Sequence, residues 1–169
     1  HDVLKVSSID QAATAIMNAD SVLIIGIGNS HSVALDLQHK LMRLGIKATA
    51  LTDSHLAAIA AINQTSRDVV VAISHSGSSR DIVENAKIAK KSNATIISLT
   101  SIGTSPLSKI SDIQLYTASK ETQYRIVSMN SRIAQMAIID SIYTVIAARN
   151  PSSVDNFHRI EQALKYKKY

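Results

Sequence analysis

The sequence has no cysteine and no tryptophan, and its only aromatic residues are five Tyr and one Phe. Without cysteine the chain cannot form disulfides, thiolate metal sites or iron–sulfur ligation, and it has no cysteine nucleophile. Because aromatic side chains are scarce, Val, Ile, Leu and Ala must fill the core. Apolar residues make up 46% and charged residues 18% of 169 positions, which excludes a disordered or collagen-like chain. This length supports one domain with a single core.

Long hydrophobic runs are also missing. The longest apolar stretch, residues 133–148, is interrupted by Gln135, Asp140, Ser141 and Thr144, so it is too short and too polar to span a bilayer. The chain does not open with a basic region followed by an apolar run, which argues against a secretory signal. Its first residue is His1 rather than Met. We therefore expect a piece of a longer cytoplasmic protein that makes no contact with a membrane.

Positive charge is in modest excess, with 18 Lys and Arg against 13 Asp and Glu. Lysines cluster only within residues 87–91 and 165–168, where they are typical of solvated helix faces, so direct nucleic-acid binding by this chain is not expected. The six histidines are scattered. Only His31 and His39 lie near each other, without a carboxylate at ligand spacing. We expect no metal and no cofactor.

Five short apolar runs recur along the chain, at residues 22–27, 47–51, 68–73, 95–99 and 113–116. Three of them are continuous and rich in β-branched residues, as is typical of strands buried on both faces. Between the runs, apolar residues recur every three or four positions, which predicts helices near residues 33–44, 54–62 and 82–89. The alternation predicts an α/β fold, a three-layer α-β-α sandwich around a five-stranded parallel sheet. We interpret residues 1–169 as one domain with its core at about residues 20–150.

The last third of the sequence departs from this alternation. Residues 128–148 predict one long helix that is apolar on most of its surface, followed by a shorter helix at 154–164. A helix that is apolar nearly all round is buried on both sides, so the side away from the sheet needs a cover. We expect a homodimer or a higher homo-oligomer through this helix, since symmetric dimers are the commonest assembly. The alternative is that the final helix folds back over it.

Two polar loops follow the first and third predicted strands, where parallel sheets bind their ligands. The first begins with Gly26 and Gly28, continues through Asn29 and Ser30, and opens a helix whose N-terminus favours an anion. It is not a P-loop. Because His31 occupies the third glycine position of the dinucleotide fingerprint, a nucleotide-binding Rossmann module is disfavoured. Two glycines after a strand are also common in purely structural turns.

The second loop places four hydroxyl groups and a glycine within six residues: Ser74, His75, Ser76, Gly77, Ser78 and Ser79. Hydroxyl and backbone N–H groups can hold phosphate oxygens without any Lys or Arg. A helix-capping turn would explain Ser79 but not four serines. Since both loops end strands of one sheet, we expect them to line a single phosphate pocket.

The two motifs Gly26-Ile27-Gly28-Asn29-Ser30 and Ser74-His75-Ser76-Gly77-Ser78-Ser79 resemble the SIS (sugar isomerase) family. Members of that family carry a Gly-x-Gly-x-Ser turn and a Ser-x-Ser-Gly-x-Thr loop around a sugar phosphate, and Ser79 stands where Thr is usual. The resemblance implies a dimeric domain and a phosphosugar site. In that site the hydroxyls of Ser30, Ser74, Ser76 and Ser79 would bind the phosphate, alongside Gly28, Asn29, His75, Gly77 and Ser78.

Three further segments, at residues 41–45, 52–55 and 131–135, resemble the effector domain of RpiR-type bacterial transcription regulators. In those proteins a helix-turn-helix domain precedes the SIS domain. The resemblance therefore implies a sensor that binds a sugar phosphate and reaches DNA only through a helix-turn-helix domain outside residues 1–169.

The alternative function is a sugar-phosphate aldose–ketose isomerase, which needs a carboxylate base. Our alignment puts Asn130 or Ser131 where a related isomerase has its Glu, which favours a binding protein, although Glu84, Glu121 or a histidine would be alternative bases. We therefore assign no catalytic residue.

Three other side chains are candidates for the ligand site. His55 and His75 are candidate ligand contacts, because an imidazole can donate or accept a hydrogen bond, while Arg132 is a candidate partner for a phosphate or carboxylate. Each also has an ordinary structural interpretation, as a histidine bonded to the backbone at a strand end or as a surface arginine.

Overall fold

The computed structural model describes residues 6–118 and 129–167, with the side chains of residues 129 and 130 left out. The elements in chain order are α1 (Val6–Asn18), β1 (Val22–Gly26), α2 (His31–Arg43), β2 (Ala48–Leu51), α3 (Ser54–Ile62), β3 (Val69–Ile73), α4 (Arg80–Lys91), β4 (Thr95–Ser101), α5 (Pro106–Ile110), β5 (Ile113–Thr117), α6 (Met129–Arg149) and α7 (Ser153–Leu164). Short 3₁₀ turns lie at Gly28–Ser30 and Lys165–Lys167. None of the helices in these two ranges is both long and apolar enough to cross a bilayer.

The five strands form one parallel sheet in the order β2-β1-β3-β4-β5. All five predicted strands are present, and their ends differ from the predicted ones by no more than two residues. From β1 the chain moves outward to β2, then returns to the other side of β1 for β3. The strand order therefore reverses between β1 and β3, the place where such sheets bind ligands.

The core divides into two aliphatic layers, one on each face of the sheet. All residues of β1 and β3 are buried, because helices cover both faces. Ile24 packs into the layer made with α1, α2 and α6, whereas Leu23 and Ile25 pack into the layer made with α3, α4 and α5. This confirms the predicted three-layer sandwich.

The first helix, α1, is an element that the sequence analysis did not predict. It buries Ile9, Ala12, Ala13 and Ile16 in the layer that contains α6, and Asp10 forms an ion pair with Arg149 near the end of α6. On that side α1 supplies the cover that we expected from a second copy or from the final helix.

The final helix, α7, packs against the end of α2. The Asn156 side-chain amide donates a hydrogen bond to the Arg43 carbonyl oxygen at 2.7 Å, and the Arg43 guanidinium lies 5.5 Å from the centre of the Phe157 ring. These contacts tie α7 to the amino edge of the sheet, opposite the two predicted ligand loops.

Candidate functional site

The turn after β1 is a tight connection from strand to helix. Gly28 has a φ of +62°, a conformation that favours glycine, and the 3₁₀ turn at Gly28–Ser30 leads directly into α2. Gly26 lies so close to the turn that a Cβ there would meet the Ser30 carbonyl oxygen at 2.6 Å and the Ala34 Cβ at 2.7 Å. The two glycines therefore hold the start of α2 against the end of β1, with Ser30 mostly buried and Asn29 exposed at the tip.

The loop after β3 runs from Ser74 to the beginning of α4. Ser74 is buried at the strand end, and the Gly77 N–H donates to the Ser74 carbonyl oxygen at 3.1 Å, which closes a turn. Ser76 and Ser78 are exposed and bond each other: the Ser78 N–H donates to Ser76 Oγ at 3.2 Å, and Ser78 Oγ donates to the Ser76 carbonyl oxygen at 3.3 Å. The loop therefore has a defined shape of its own.

Ser79 is the N-cap of α4, in extended backbone conformation with φ −61° and ψ 116°. Its side chain makes no capping hydrogen bond to the backbone of α4. The Ser79 carbonyl oxygen accepts the first helical hydrogen bond, from the Val83 N–H at 3.0 Å. The N–H groups before Val83 have no acceptor within the helix, and together with the helix dipole they favour an anion at this end.

The two loops are neighbours across the switch point of the sheet. Gly26 and Ile73 are register partners in β1 and β3, and adjacent strands lie about 4.8 Å apart, so the residues that follow them emerge side by side. The edge therefore combines two helix N-termini, α2 and α4, with the hydroxyls of Ser30, Ser74 and Ser79. Such a set of neutral donors suits a phosphate group.

Neighbouring elements hold the serine loop from behind. The Ser74 N–H donates to the Leu99 carbonyl oxygen at 3.0 Å, and the Ser101 N–H donates to the His75 carbonyl oxygen at 2.8 Å, so the loop continues the pairing with β4. The Gly77 carbonyl oxygen accepts from the Leu107 N–H of α5 at 3.0 Å. The His75 side chain is half-buried beside these contacts.

The two remaining predicted ligand contacts, His55 and Arg132, take no part in the hydrogen bonds described above. His55 is exposed on the first turn of α3, after β2, and Arg132 is half-buried on the first turn of α6. In the described ranges no hydrogen bond or ion pair joins either side chain to the two loops. Their assignment to the ligand site stays a prediction.

The alternative isomerase bases are no better placed. Glu84 is exposed on α4, and a 2.8 Å hydrogen bond from Lys87 Nζ holds the pKa of its carboxyl below the usual value, which weakens it as a base. Ser131 is buried, while Glu121 and the Asn130 side chain lie outside the described residues. Within the described ranges, no three His, Cys, Asp or Glu side chains are grouped as a metal site would require.

Comparison with known families agrees with the geometry of the two loops. The SIS domain family matches residues 15–145, which is most of the chain and includes both loops. The chain belongs to the SIS domain family. An HTH-type transcriptional regulator of Thermotoga maritima is 36% identical over 166 residues, covering 98% of this chain and 59% of that protein. The SIS domain described here thus spans about three-fifths of the length of that relative.

Two solved structures share the fold across nearly the whole SIS domain. The NanR protein of Vibrio vulnificus, complexed with ManNAc-6P, superimposes with a TM-score of 0.93 at 26% identity, covering 99% of this chain and 64% of that one. The sugar isomerase domain of an RpiR transcription factor from Sphaerobacter thermophilus gives 0.86 at 26% identity, covering 95% and 89%. Both confirm the predicted family branch.

Sequence analysis missed one group of residues at this edge of the SIS domain. Ser105, the N-cap of α5, and Thr100, near the end of β4, lie directly behind Gly77, within 3.1 Å of where a Cβ would stand on that glycine. The signal was present in Ser105-Pro106 with Ser108 three residues on, a pattern typical of a helix start. What the pattern did not indicate is which loop this helix start supports.

Proposed function

We propose that this SIS domain is the phosphosugar-binding effector domain of an HTH-type transcriptional regulator. The proposal rests above all on the superposition with NanR complexed with ManNAc-6P, which extends over 99% of the chain. It is supported by the two hydroxyl-bearing loops that meet where the strand order reverses. The name of the Thermotoga maritima relative supplies the regulatory context.

The proposed phosphate contacts are neutral donors. The hydroxyls of Ser30, Ser74, Ser76 and Ser79 would donate to the phosphate oxygens, with Gly28, Asn29, His75, Gly77 and Ser78 lining the same site. Free N–H groups at the start of α4 would add to them, because a helix N-terminus binds anions. His55 and Arg132 are proposed contacts to the rest of the sugar phosphate.

The regulatory step is a coupling of two binding events. Bound sugar phosphate changes the affinity for DNA only if it binds differently to the DNA-binding and non-binding states. In this proposal the protein is a homodimer or a higher homo-oligomer and contacts DNA through a helix-turn-helix domain outside residues 1–169. We place it in the cytoplasm, because a regulator of this kind acts on chromosomal DNA.

A thermal-shift screen of hexose, pentose and amino-sugar phosphates tests the binding function. A ligand at a hundred times its dissociation constant stabilises the folded state by about 2.7 kcal/mol, which is readily measured for a domain of this size. Ser79→Ala should reduce the shift, because it removes a hydroxyl at the α4 N-terminus. Ser66→Ala is the matched control, since Ser66 is exposed in the connection between α3 and β3.

The screen also discriminates between a sensor and an isomerase. Each stabilising compound is incubated with the protein and assayed for aldose–ketose conversion. Stabilisation without conversion is the expected result, and turnover would make the SIS domain an isomerase. Operator binding by the full-length protein that is insensitive to every stabilising compound would contradict the regulatory part.

A further inference from the structure

The loop that follows β4 packs against the serine loop at Gly77. Gly77 has a φ of +61° and is buried. A Cβ on it would lie 2.2 Å from Ser105 Oγ and 2.6 Å from Ser105 Cβ. The Ser105 side chain therefore occupies the space that a side chain at position 77 would need.

Ser105 is itself fixed by a reciprocal set of hydrogen bonds at the start of α5. The Ser108 N–H donates to Ser105 Oγ at 3.1 Å, the Ser105 N–H donates to Ser108 Oγ at 2.9 Å, and Ser108 Oγ donates to the Ser105 carbonyl oxygen at 3.0 Å. Both serines are buried, so water does not compete for these bonds. The position of Ser105 is thus set by α5.

A second contact connects the same helix to the same glycine. The Leu107 N–H, in the first turn of α5, donates to the Gly77 carbonyl oxygen at 3.0 Å. One residue of the serine loop is therefore held by both a hydrogen bond and a steric contact from α5. Capping of α5 and the conformation of the loop cannot change independently of each other.

We propose that Ser105 is a positioning residue for the phosphate loop, which it holds in its binding conformation through Gly77 without touching the ligand. This inference rests on the proposed function, because it assumes that residues 74–79 bind phosphate. When a variant binds only in a fraction of its conformations, its apparent affinity falls by that fraction. Loss of the Ser105 cap lowers the fraction of molecules with a binding-competent loop.

The experiment titrates the 169-residue chain with inorganic phosphate and follows the backbone amide signals of residues 74–80 by NMR. Wild type should show saturable shifts at these amides. Ser105→Ala should raise the apparent dissociation constant by about tenfold, corresponding to a competent fraction near one tenth. Ser111→Ala is the control, because it removes a serine hydroxyl at the C-cap of α5, which donates to the Leu107 carbonyl oxygen at 2.7 Å, while the Ser105 cap is kept. Because this variant leaves the binding-competent fraction unchanged, its apparent dissociation constant for phosphate should lie within about twofold of the wild-type value.

A double-mutant cycle tests the contact between Ser105 and Gly77 directly. Gly77→Ala should lower the melting temperature sharply, because the new methyl group overlaps Ser105. Ser105→Gly removes both overlapping atoms, so Gly77→Ala should cost less in that background, although the positive φ remains unfavourable. Equal costs in the two backgrounds would show that the contact does not hold the loop.

The outcomes separate this inference from the proposed function. If phosphate shifts none of the amides of residues 74–80 in wild type, the proposed binding site is wrong. If wild type binds and Ser105→Ala binds equally well, the site stands and the positioning role of Ser105 is wrong.

Discussion

Glycine serves two different physical purposes at the two loops. Gly28 has a positive φ, but no atom of the described residues lies within 4 Å of where its Cβ would stand, so its backbone conformation is the reason for glycine there. Gly77 has a positive φ, and a Cβ on it would lie 2.2 Å from Ser105 Oγ. Both its backbone conformation and the lack of space for a side chain therefore require glycine. A substitution at Gly77 should therefore be far more damaging than the same substitution at Gly28.

Asp68, immediately before the central strand β3, is buried, and its carboxylate forms no ion pair with a Lys, Arg or His of the described residues. Its oxygens accept hydrogen bonds from Ser21 Oγ, the Thr65 N–H and Thr65 Oγ1, each at 2.8 Å. Burial by itself raises the pKa of this carboxyl, but the hydrogen bonds from Thr65 and Ser21 outweigh that effect and hold the pKa below its ordinary value of 3.8. The ionised form is therefore the one that stabilises the fold.

We predict that Asp68→Asn lowers the free energy of unfolding by about 1–3 kcal/mol at neutral pH, because it replaces the charged acceptor of three hydrogen bonds by a neutral amide with only one accepting atom. Because the pKa of Asp68 is depressed in the folded state, its contribution is complete above the ordinary pKa of 3.8 and is lost as pH falls through the folded value. Urea unfolding of both proteins across a pH series measures this. The difference between them should be constant near neutrality and shrink in acid.

Glu161→Gln, on the exposed face of α7, is the control and should change stability little at any of these pH values. A difference between wild type and Asp68→Asn that persisted at pH values well below 3.8 would contradict the role given to the carboxylate.

At the scale of whole elements, α1 is part of the core rather than an appendage. Ile16 is 1% exposed in the layer that includes α2 and α6, and Ala12 and Ala13 are fully buried beside it. We predict that Ile16→Ala lowers the free energy of unfolding by about 2–5 kcal/mol, the usual cost of emptying such a site. Chemical denaturation followed by circular dichroism gives this value.

Val6→Ala, at the 80% exposed first residue of α1, is the matched control and should have almost no effect. Equal stability of Ile16→Ala and wild type would mean that α1 does not pack against the core in solution.

The strands and the longer helices could be predicted because each carries its own signal. β1 and β3 are buried on both faces and are continuous apolar runs, and Asp53 caps α3 as its sequence indicates, accepting from the Leu56 N–H at 2.9 Å. The inward positions of α1, which are Ile9, Ala12, Ala13 and Ile16, also have helical spacing, so this helix could have been predicted, and the sequence analysis did not use that signal. α5 has five residues, too few for any periodicity to be visible.

The candidate site could be predicted only in part. Composition and position pointed to the two loops, because hydroxyl-rich segments after neighbouring parallel strands converge on one edge. The contact of Ser105 with Gly77 joins residues 28 positions apart, and no local pattern encodes such a pairing. For the same reason, the sequence analysis did not foresee that α1 packs beside α6, a place for which it had considered the final helix, α7.

At the scale of the whole molecule, the outer face of α3 is an exposed apolar surface of the described part of the chain. Leu56, Ile59 and Ile62 are 53%, 50% and 66% exposed and recur every three residues along one side. α3 contains no charged residue, whereas the chain carries a net charge of +5. Two copies meeting on this face would avoid like-charge repulsion and would bury apolar surface that a monomer leaves in water.

We predict a dimer in solution that Ile59→Glu dissociates, because a two-fold interface would place two buried carboxylates near its axis. Sedimentation equilibrium or light scattering at several protein concentrations measures the mass.

Ile102→Glu is the control, since Ile102 is 57% exposed after β4 and lies off this face, and it should leave the dimer intact. Leu35→Glu and Ile133→Glu probe the alternative surface on α2 and α6, where those side chains are also exposed. If either of these variants is monomeric while Ile59→Glu is still dimeric, the interface lies on α6, as the sequence analysis expected. A monomeric wild type would contradict the prediction of a dimer.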